Sequence, residues 1–455
     1  MAEDRSSKGA QIEFFDDEII SEILARLPVK SVVRFRCVSK WWSALISDPY
    51  FTKKHLSYSK EGITENTSRL LYSLYPPQSL DYEALKDLKD HSDGSFANRV
   101  LDFPVRKLPR YHFLCSIVGC CDGLVCIIVE EEEDGGYFML WNPCTRNSRK
   151  LPRTIPKLCN PDRMSFKFCG FGYDSATDDY KVIVGDINHI VFEETTVYVF
   201  ALKTSSWKKL PIINNPLDIT GRGFFLNGAL HWLTRNPGHC PRTVLLSFDL
   251  VEEKFHDKIP LPDCEIQQMS VVKNCLCVFN HAFSWRNVTT IWLMKEYGVK
   301  QSWTPVIRCS TENFPGDFRH VSVQPLCILE DGQVLVVTNY GERFLVLYDP
   351  KENTFKTVTK THTQLSAGAF VYTETLVSPV TGSAAVETTS DPSHCFPVIV
   401  KAEDGPLEDA YWKKREAEAE KVAEHSVNPH PEKVTEELNK DVGELVYEQQ
   451  KHKQN

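Results

Sequence analysis

Five times between residues 138 and 358 the chain repeats one arrangement: FMLWNPCTRNSRKLP, VYVFALKTSSWKKLP, LLSFDLVEEKFHDKIPLP, IWLMKEYGVKQSWTPV and LVLYDPKENTFKTV. Each copy is an apolar strand, a polar turn and a second strand entered at an aromatic residue or an arginine. Successive copies start roughly 45 to 60 residues apart, the period of a propeller blade rather than of a small solenoid. Between them lie other hairpins: CDGLVCII, FGYDSATDDYKVIV, FFLNGALHWL, SVVKNCLCVF and LCILEDGQVLVV. Asp-Gly and Asn-Gly set between apolar runs are strong hairpin signals, because those residues tolerate the positive φ that a tight turn demands. Two hairpins per period predict four-stranded blades from Val118 to about Thr375. The spacing leaves open how many blades there are and how the ring closes. The aromatic residues Trp207, Trp232, Trp292 and Trp303 recur with the period and are expected to pack between blades.

Before this domain the pattern is helical. In DDEIISEILARL, residues 16 to 27, Ile19, Ile20, Ile23, Leu24 and Leu27 fall at helical spacing, with Asp16 and Asp17 at the start to complement the dipole. Pro28 disfavours a helical Leu27, so a second helix should begin near Val29. Ser39 can cap a third, running through Trp41, Trp42, Leu45 and Ile46 until DPYF ends it. About forty residues bury too little surface to stand alone, so the helices need something to lean on. The run LPVKSVVRFRCVSKWWSALISDPYF resembles the F-box, the module by which substrate receptors dock on a Skp-family adaptor. The resemblance implies that Leu27, Pro28, Val29, Val32, Val33, Phe35, Arg36, Val38 and Trp42 face that adaptor. Trp41 stands where a smaller or polar residue would be unremarkable, and makes the surface more apolar. Downstream, GCCDGLVCI, LWNPCTRNSRKLP, GFGYDSATDDYKVI, FFLNGALHWL and VYTETLVSP resemble, in order, the kelch-like F-box-associated domain of plant F-box proteins.

The expected fold is therefore α+β and multidomain. A disordered N-terminus (1–14) leads to a three-helix F-box (15–55), a polar connector (56–110) and an all-β, propeller-like domain (111–402, with a linker from about 380). A charged tail (403–455), partly helical or disordered, follows. FPVIV at 396–400 is a candidate closing strand for the ring. The tail carries fourteen acidic against eight basic residues, and DAYWKKREAEAEKVAEHSVNPHPEKVTEELNKDV resembles the N-terminal segment of plant pectate lyases without their catalytic domain.

Chemistry is sparse in this sequence. It holds no GxSxG, HExxH or P-loop, and its fourteen histidines do not gather at metal-ligand spacing. Gly170-x-Gly172 lacks the third glycine and the helix of a dinucleotide site. Fifteen scattered cysteines, without a CxxC pair, read as buried thiols of a reducing compartment. Asp178-Asp179 and the acidic run from Glu130 to Asp134 read as solvated turns. No catalytic, cofactor-binding or metal-binding residue is expected. A net charge of −9 argues against nucleic acid, and no run of apolar residues suffices to cross a membrane, so the cytoplasm or nucleus is the expected location.

What the resemblance implies is a non-catalytic substrate receptor of a ubiquitin ligase, joined through a Skp-family adaptor to a cullin and a RING subunit, with its protein target held by the β domain. An F-box scaffold that binds the adaptor without directing ubiquitination is the alternative, and a propeller enzyme a distant third. Because the tail has almost no apolar periodicity with which to dock, truncation after about residue 402 is expected to leave stability, adaptor binding and target binding nearly unchanged. Limited proteolysis checks this: the tail should be digested first, leaving a core that ends between about residues 375 and 405.

Overall fold

The computed structural model describes residues 17–380 apart from segments 63–67, 75–76, 82–83, 86–97, 106–114, 132–134, 154–158, 161–162, 165–166, 188–194, 212–218, 236–242, 281–287, 311–321, 341 and 362–368. Four helices come first: α1 (Asp17–Ala25), α2 (Val29–Phe35), α3 (Lys40–Ser47) and α4 (Pro49–Lys60). Three match the sequence reading. In the fourth, Asp48 accepts from the amides of Tyr50 and Phe51 and Pro49 takes the first helical position, so DPYF, read as an ending, is also a start signal.

Among the described residues, six sheets of four or five strands follow and form a six-bladed propeller, with a two-stranded ribbon, Cys159–Asn160 and Arg163–Met164, between the second and third. Five are built from consecutive strands. The second blade, for example, runs Cys115–Cys121, Leu124–Glu131, Gly135–Trp141 and Ser148–Lys150. The third gains a short parallel partner, Gly221–Arg222, beside Phe168–Cys169. The innermost strands, Cys115–Cys121, Phe168–Asp174, Phe224–Leu226, Gln268–Val272, Ser322–Ile328 and Phe370–Thr373, touch one another in succession around the axis.

The first blade is composite. Its three outer strands are Ser68–Leu74, Pro77–Leu80 and Asn98–Val100, and its inner strand is Phe370–Thr373, paired antiparallel with Ser68–Leu71. Here the structure divides the chain differently from the sequence reading. The stretch read as a connector, 56–110, contains the end of α4 and three blade strands. Residues 370–373 close the ring by pairing with Ser68–Leu71, while FPVIV at 396–400 lies outside the described residues, as do 1–16 and the tail. SRLLYSL and PQSL are joined through Tyr75 and Pro76, and the long polar stretch that follows sets its Asp93-Gly94 among polar residues rather than between apolar runs, so the sequence carries no hairpin signal for this blade.

The repeat has a clear physical content. In three blades the aromatic residues at the ends of the two outer strands sit directly opposite each other: Phe200 with Trp207, Phe248 with Phe255 and Tyr348 with Phe355, at ring-centroid distances of 5.1, 4.9 and 4.7 Å. The polar turns between them are held by a side-chain oxygen two residues back, as in Asp249 to the amides of Val251 and Glu252, or Asp349 to those of Lys351 and Glu352. Trp232 is fully buried, and Trp207 and Trp303 donate to the carbonyls of Pro152 and Pro260. Trp292 packs against the core between the fourth and fifth blades.

Asp122-Gly123 and Asn227-Gly228 both turn with two positive φ values, as the sequence demanded. They differ in surroundings. A Cβ at Gly228 would meet nothing, whereas one at Gly123 would lie 2.2 Å from Thr375 Oγ1 and 2.7 Å from the Thr373 carbonyl oxygen. Gly228→Ala should therefore cost only the backbone strain, about 1 kcal/mol, and Gly123→Ala about 2 kcal/mol or more. Urea denaturation of the two variants checks the difference, and equal losses would show that close packing at Gly123 contributes nothing.

Candidate functional site

The helical unit is a small core with one uncovered apolar side. Leu24, Ala25, Val29, Val32, Ile46 and Phe51 are buried together, with Ile20, Leu27, Val33, Phe35, Trp42 and Leu45 packed around them. Ser39 Oγ accepts from the Trp42 amide at 3.1 Å and fixes the start of α3. Phe35 and Trp42 meet edge to face at 5.3 Å, and Trp41 meets Trp42 at 6.5 Å. His55, wholly inside, shares a 2.9 Å hydrogen bond between Nε2 and the Leu27 carbonyl oxygen. That bond ties the end of α1 to α4 and satisfies a carbonyl that the break at Pro28 leaves open. Burial holds the His55 pKa below its ordinary value, so the neutral ring donates from Nε2.

The nine residues singled out from the sequence do not share one environment. Val29 and Val32 are 1% and 0% exposed and belong to the core of the unit. Leu27, Pro28, Val33, Phe35, Arg36 and Trp42 are half-buried, and Arg36 donates to Ser47 Oγ at 2.9 Å. Val38 stands out at 60% exposed. Four residues outside the set are as prominent: Ile19 at 50%, Ile23 at 54%, Trp41 at 38% and Tyr50 at 76%. Helical spacing alone places Ile19 and Ile23 with Ile20 and Leu24. The structure separates them, turning Ile20 and Leu24 inward and leaving Ile19 and Ile23, one turn apart, on the surface.

The opposite side of the unit is held to the propeller. Lys53 Nζ lies 2.5 Å from Asp178, which also accepts from Tyr173 at 2.6 Å and Lys203 at 3.2 Å. Lys60 Nζ lies 2.8 Å from Asp122, which accepts from Tyr180 at 3.1 Å. Leu56 packs on the core shared by the second and third blades. The acidic pair 178–179, read from the sequence as a solvated turn, is therefore structural. Lys53, then Tyr173, hold the Asp178 carboxyl down at about 2, while Asp179 is buried and accepts from the Lys203 amide at 3.0 Å.

Comparison with known families agrees with this division. The F-box domain model matches residues 13–54, and the F-box associated beta propeller domain model matches residues 95–379, more than half of the chain. The chain belongs to the F-box associated beta propeller family. Similar curated proteins, all from Arabidopsis thaliana, include F-box protein At3g07870, 27% identical over 76% of this chain and 88% of the relative. F-box/kelch-repeat protein At3g23880 is 28% identical over 80% and 95%, and F-box protein CPR1 27% over 75% and 83%. The model for the pectate lyase N terminus matches residues 408–453, within the tail.

In this F-box protein a cavity of about 410 Å³ lies near the propeller axis, reached by Cys120, Phe171, Phe224, Val271, Lys273 and Phe370 among others. No cluster of three or more metal-ligating side chains occurs among the described residues, and no helix there is long and apolar enough to cross a membrane. Burial pushes the Cys169 thiol up to about 12 and holds His231 at about 4, the reverse of an activated nucleophile and base.

His55 gives the helical unit a pH dependence. Its pKa is lowered on folding, so below about 6.5 the unfolded chain binds more protons and stability falls as the pH drops. Gln at position 55 can donate to the Leu27 carbonyl without titrating. His55→Gln should therefore lose less stability than the wild type between pH 7 and pH 5 in thermal melts. Parallel pH curves for the two would remove His55 as the cause.

Proposed function

We propose that the chain is the substrate-recognition subunit of an SCF-type ubiquitin ligase. In this reading α1–α3 dock a Skp-family adaptor, which brings a cullin and a RING subunit, and the propeller holds a protein target within reach of the charged conjugating enzyme. The observation that carries it is the apolar surface of the helical unit: Ile19 and Ile23 on α1, Trp41 on α3 and Val38 in the turn between α2 and α3 remain exposed on a unit that α4 fastens to the propeller. The same surface is basic. From Lys30 to Lys40, away from the lysines that hold the propeller, there are four Lys and Arg residues and no acidic one, in a chain whose net charge is −9. An adaptor with an apolar groove and an acidic rim fits it.

Such a receptor needs no acid, base or nucleophile of its own. It accelerates transfer by raising the local concentration of a target lysine near an activated thioester. The propeller then supplies a rigid support whose loops can differ in specificity without altering the blades.

A few anchors carry most of the energy of an interface, so replacing both Val38 and Trp41 by Ala should weaken adaptor binding by about 2 kcal/mol or more. Both side chains are exposed, so the melting temperature should stay close to that of the wild type. Calorimetry with a purified Skp-family adaptor checks this, and the affinity should also decline as salt is raised. A folded double variant that binds at full strength would place the adaptor elsewhere. Ubiquitination of the captured target that persists without the cullin would contradict the receptor reading and favour a scaffold.

A further inference from the structure

The segment that follows the closing strand, Glu374–Pro379, has no regular structure, yet Glu374 to Val377 are all buried. Its side chains alternate between two bodies. Thr375 Oγ1 donates to the Asp122 carbonyl oxygen at 2.7 Å, and Val377 enters the core shared by the second and third blades. Between them Leu376, 7% exposed, enters the core of the helical unit with Leu24, Ala25, Val29, Val32, Ile46 and Phe51. The buried Asn142 amide donates to the carbonyl oxygens of both Thr375 and Val377, at 3.0 and 2.7 Å, fixing the backbone on either side of Leu376. Glu374 accepts from Arg69 Nε at 2.8 Å, which joins the segment to the first blade as well.

We propose that Leu376 is a positioning residue for adaptor binding: a side chain from the far end of the described chain that completes the helical module and holds α1 and α2 in their docking geometry. The proposal rests on the adaptor reading above. It follows from the size of the module, whose few buried side chains make each one count, and from the extended chain on which period-two alternation sends one residue into each body. It also orders events. The helices are synthesised first, but their core is complete only once the last blade strand has paired with Ser68–Leu71. A chain that has not closed its ring would present an incomplete adaptor-binding surface.

The test uses the full chain and a purified Skp-family adaptor. Leu376→Ala should bind at least tenfold more weakly than the wild type. Leu376→Met, which keeps the volume, should bind within about threefold. Val377→Ala, in the core shared by the second and third blades, should keep the wild-type affinity. Hydrogen exchange on the same samples should show protection lost in α1 and α2 of Leu376→Ala while the blade strands are unchanged. Should Leu376→Ala not fold, native-state exchange of the wild type replaces it: α1, α2 and the 375–377 amides should open together with one free energy. Wild-type affinity in a folded Leu376→Ala, equal weakening in Val377→Ala, or separate opening would overturn the proposal. If the wild type itself does not bind the adaptor, the functional reading fails, and the exchange data still decide whether Leu376 holds the helices.

Discussion

The antiparallel pairing of Phe370–Thr373 with Ser68–Leu71 is the contact on which the rest of the molecule depends. A propeller is a ring of sheets that exposes two edges unless its ends meet, and here one end supplies the inner strand of a blade whose other three strands come from the start of the domain. Tyr372, on the closing strand, is buried against the second blade and shares a 2.9 Å hydrogen bond with Ser79 of the first. The strand then runs straight on into Glu374–Pro379, whose side chains divide between the propeller and the helices. One length of chain thus closes the ring and reaches the F-box.

This arrangement meets a constraint that the helices cannot meet themselves. A forty-residue helical unit has little core, and its exposed apolar residues lower its solubility. The propeller side supplies the missing packing through Leu376, takes Leu56 of α4 against its own core, and fixes orientation through the ion pairs of Lys53 and Lys60. Exposed ion pairs contribute little stability, but Asp122 is 9% exposed and hydrogen-bonded, so the direction in which Lys60 leaves α4 is well determined. The helical surface and the blades are therefore held as one body.

Much of this was legible in the sequence where local chemistry decides structure. The Asp-Gly and Asn-Gly turns, the aromatic pairs of the outer strands and the Ser39 cap all depend on residues within a few positions of one another, and each is found where the pattern put it. The first blade was not legible, because three of its strands carry no repeat and the fourth lies at the other end of the domain. Nor was the inside of the helical unit distinguishable from its outside. Val29 and Val32 carry the same apolar signal as Val38, and only the packing of Ile46, Phe51 and Leu376 shows that the first two are covered and the third is not. His55 gave no signal, since its partner is a backbone carbonyl in another helix.

On the proposed function the helical surface is a docking face, and the propeller is left free to hold a target. Hydrogen exchange of the full chain with and without a saturating Skp-family adaptor tests this most directly. Protection should appear in α1, at the α2–α3 junction around Val38 and in the first turn of α3, with the blade strands unchanged. Protection confined to the propeller, or none at saturation, would contradict it.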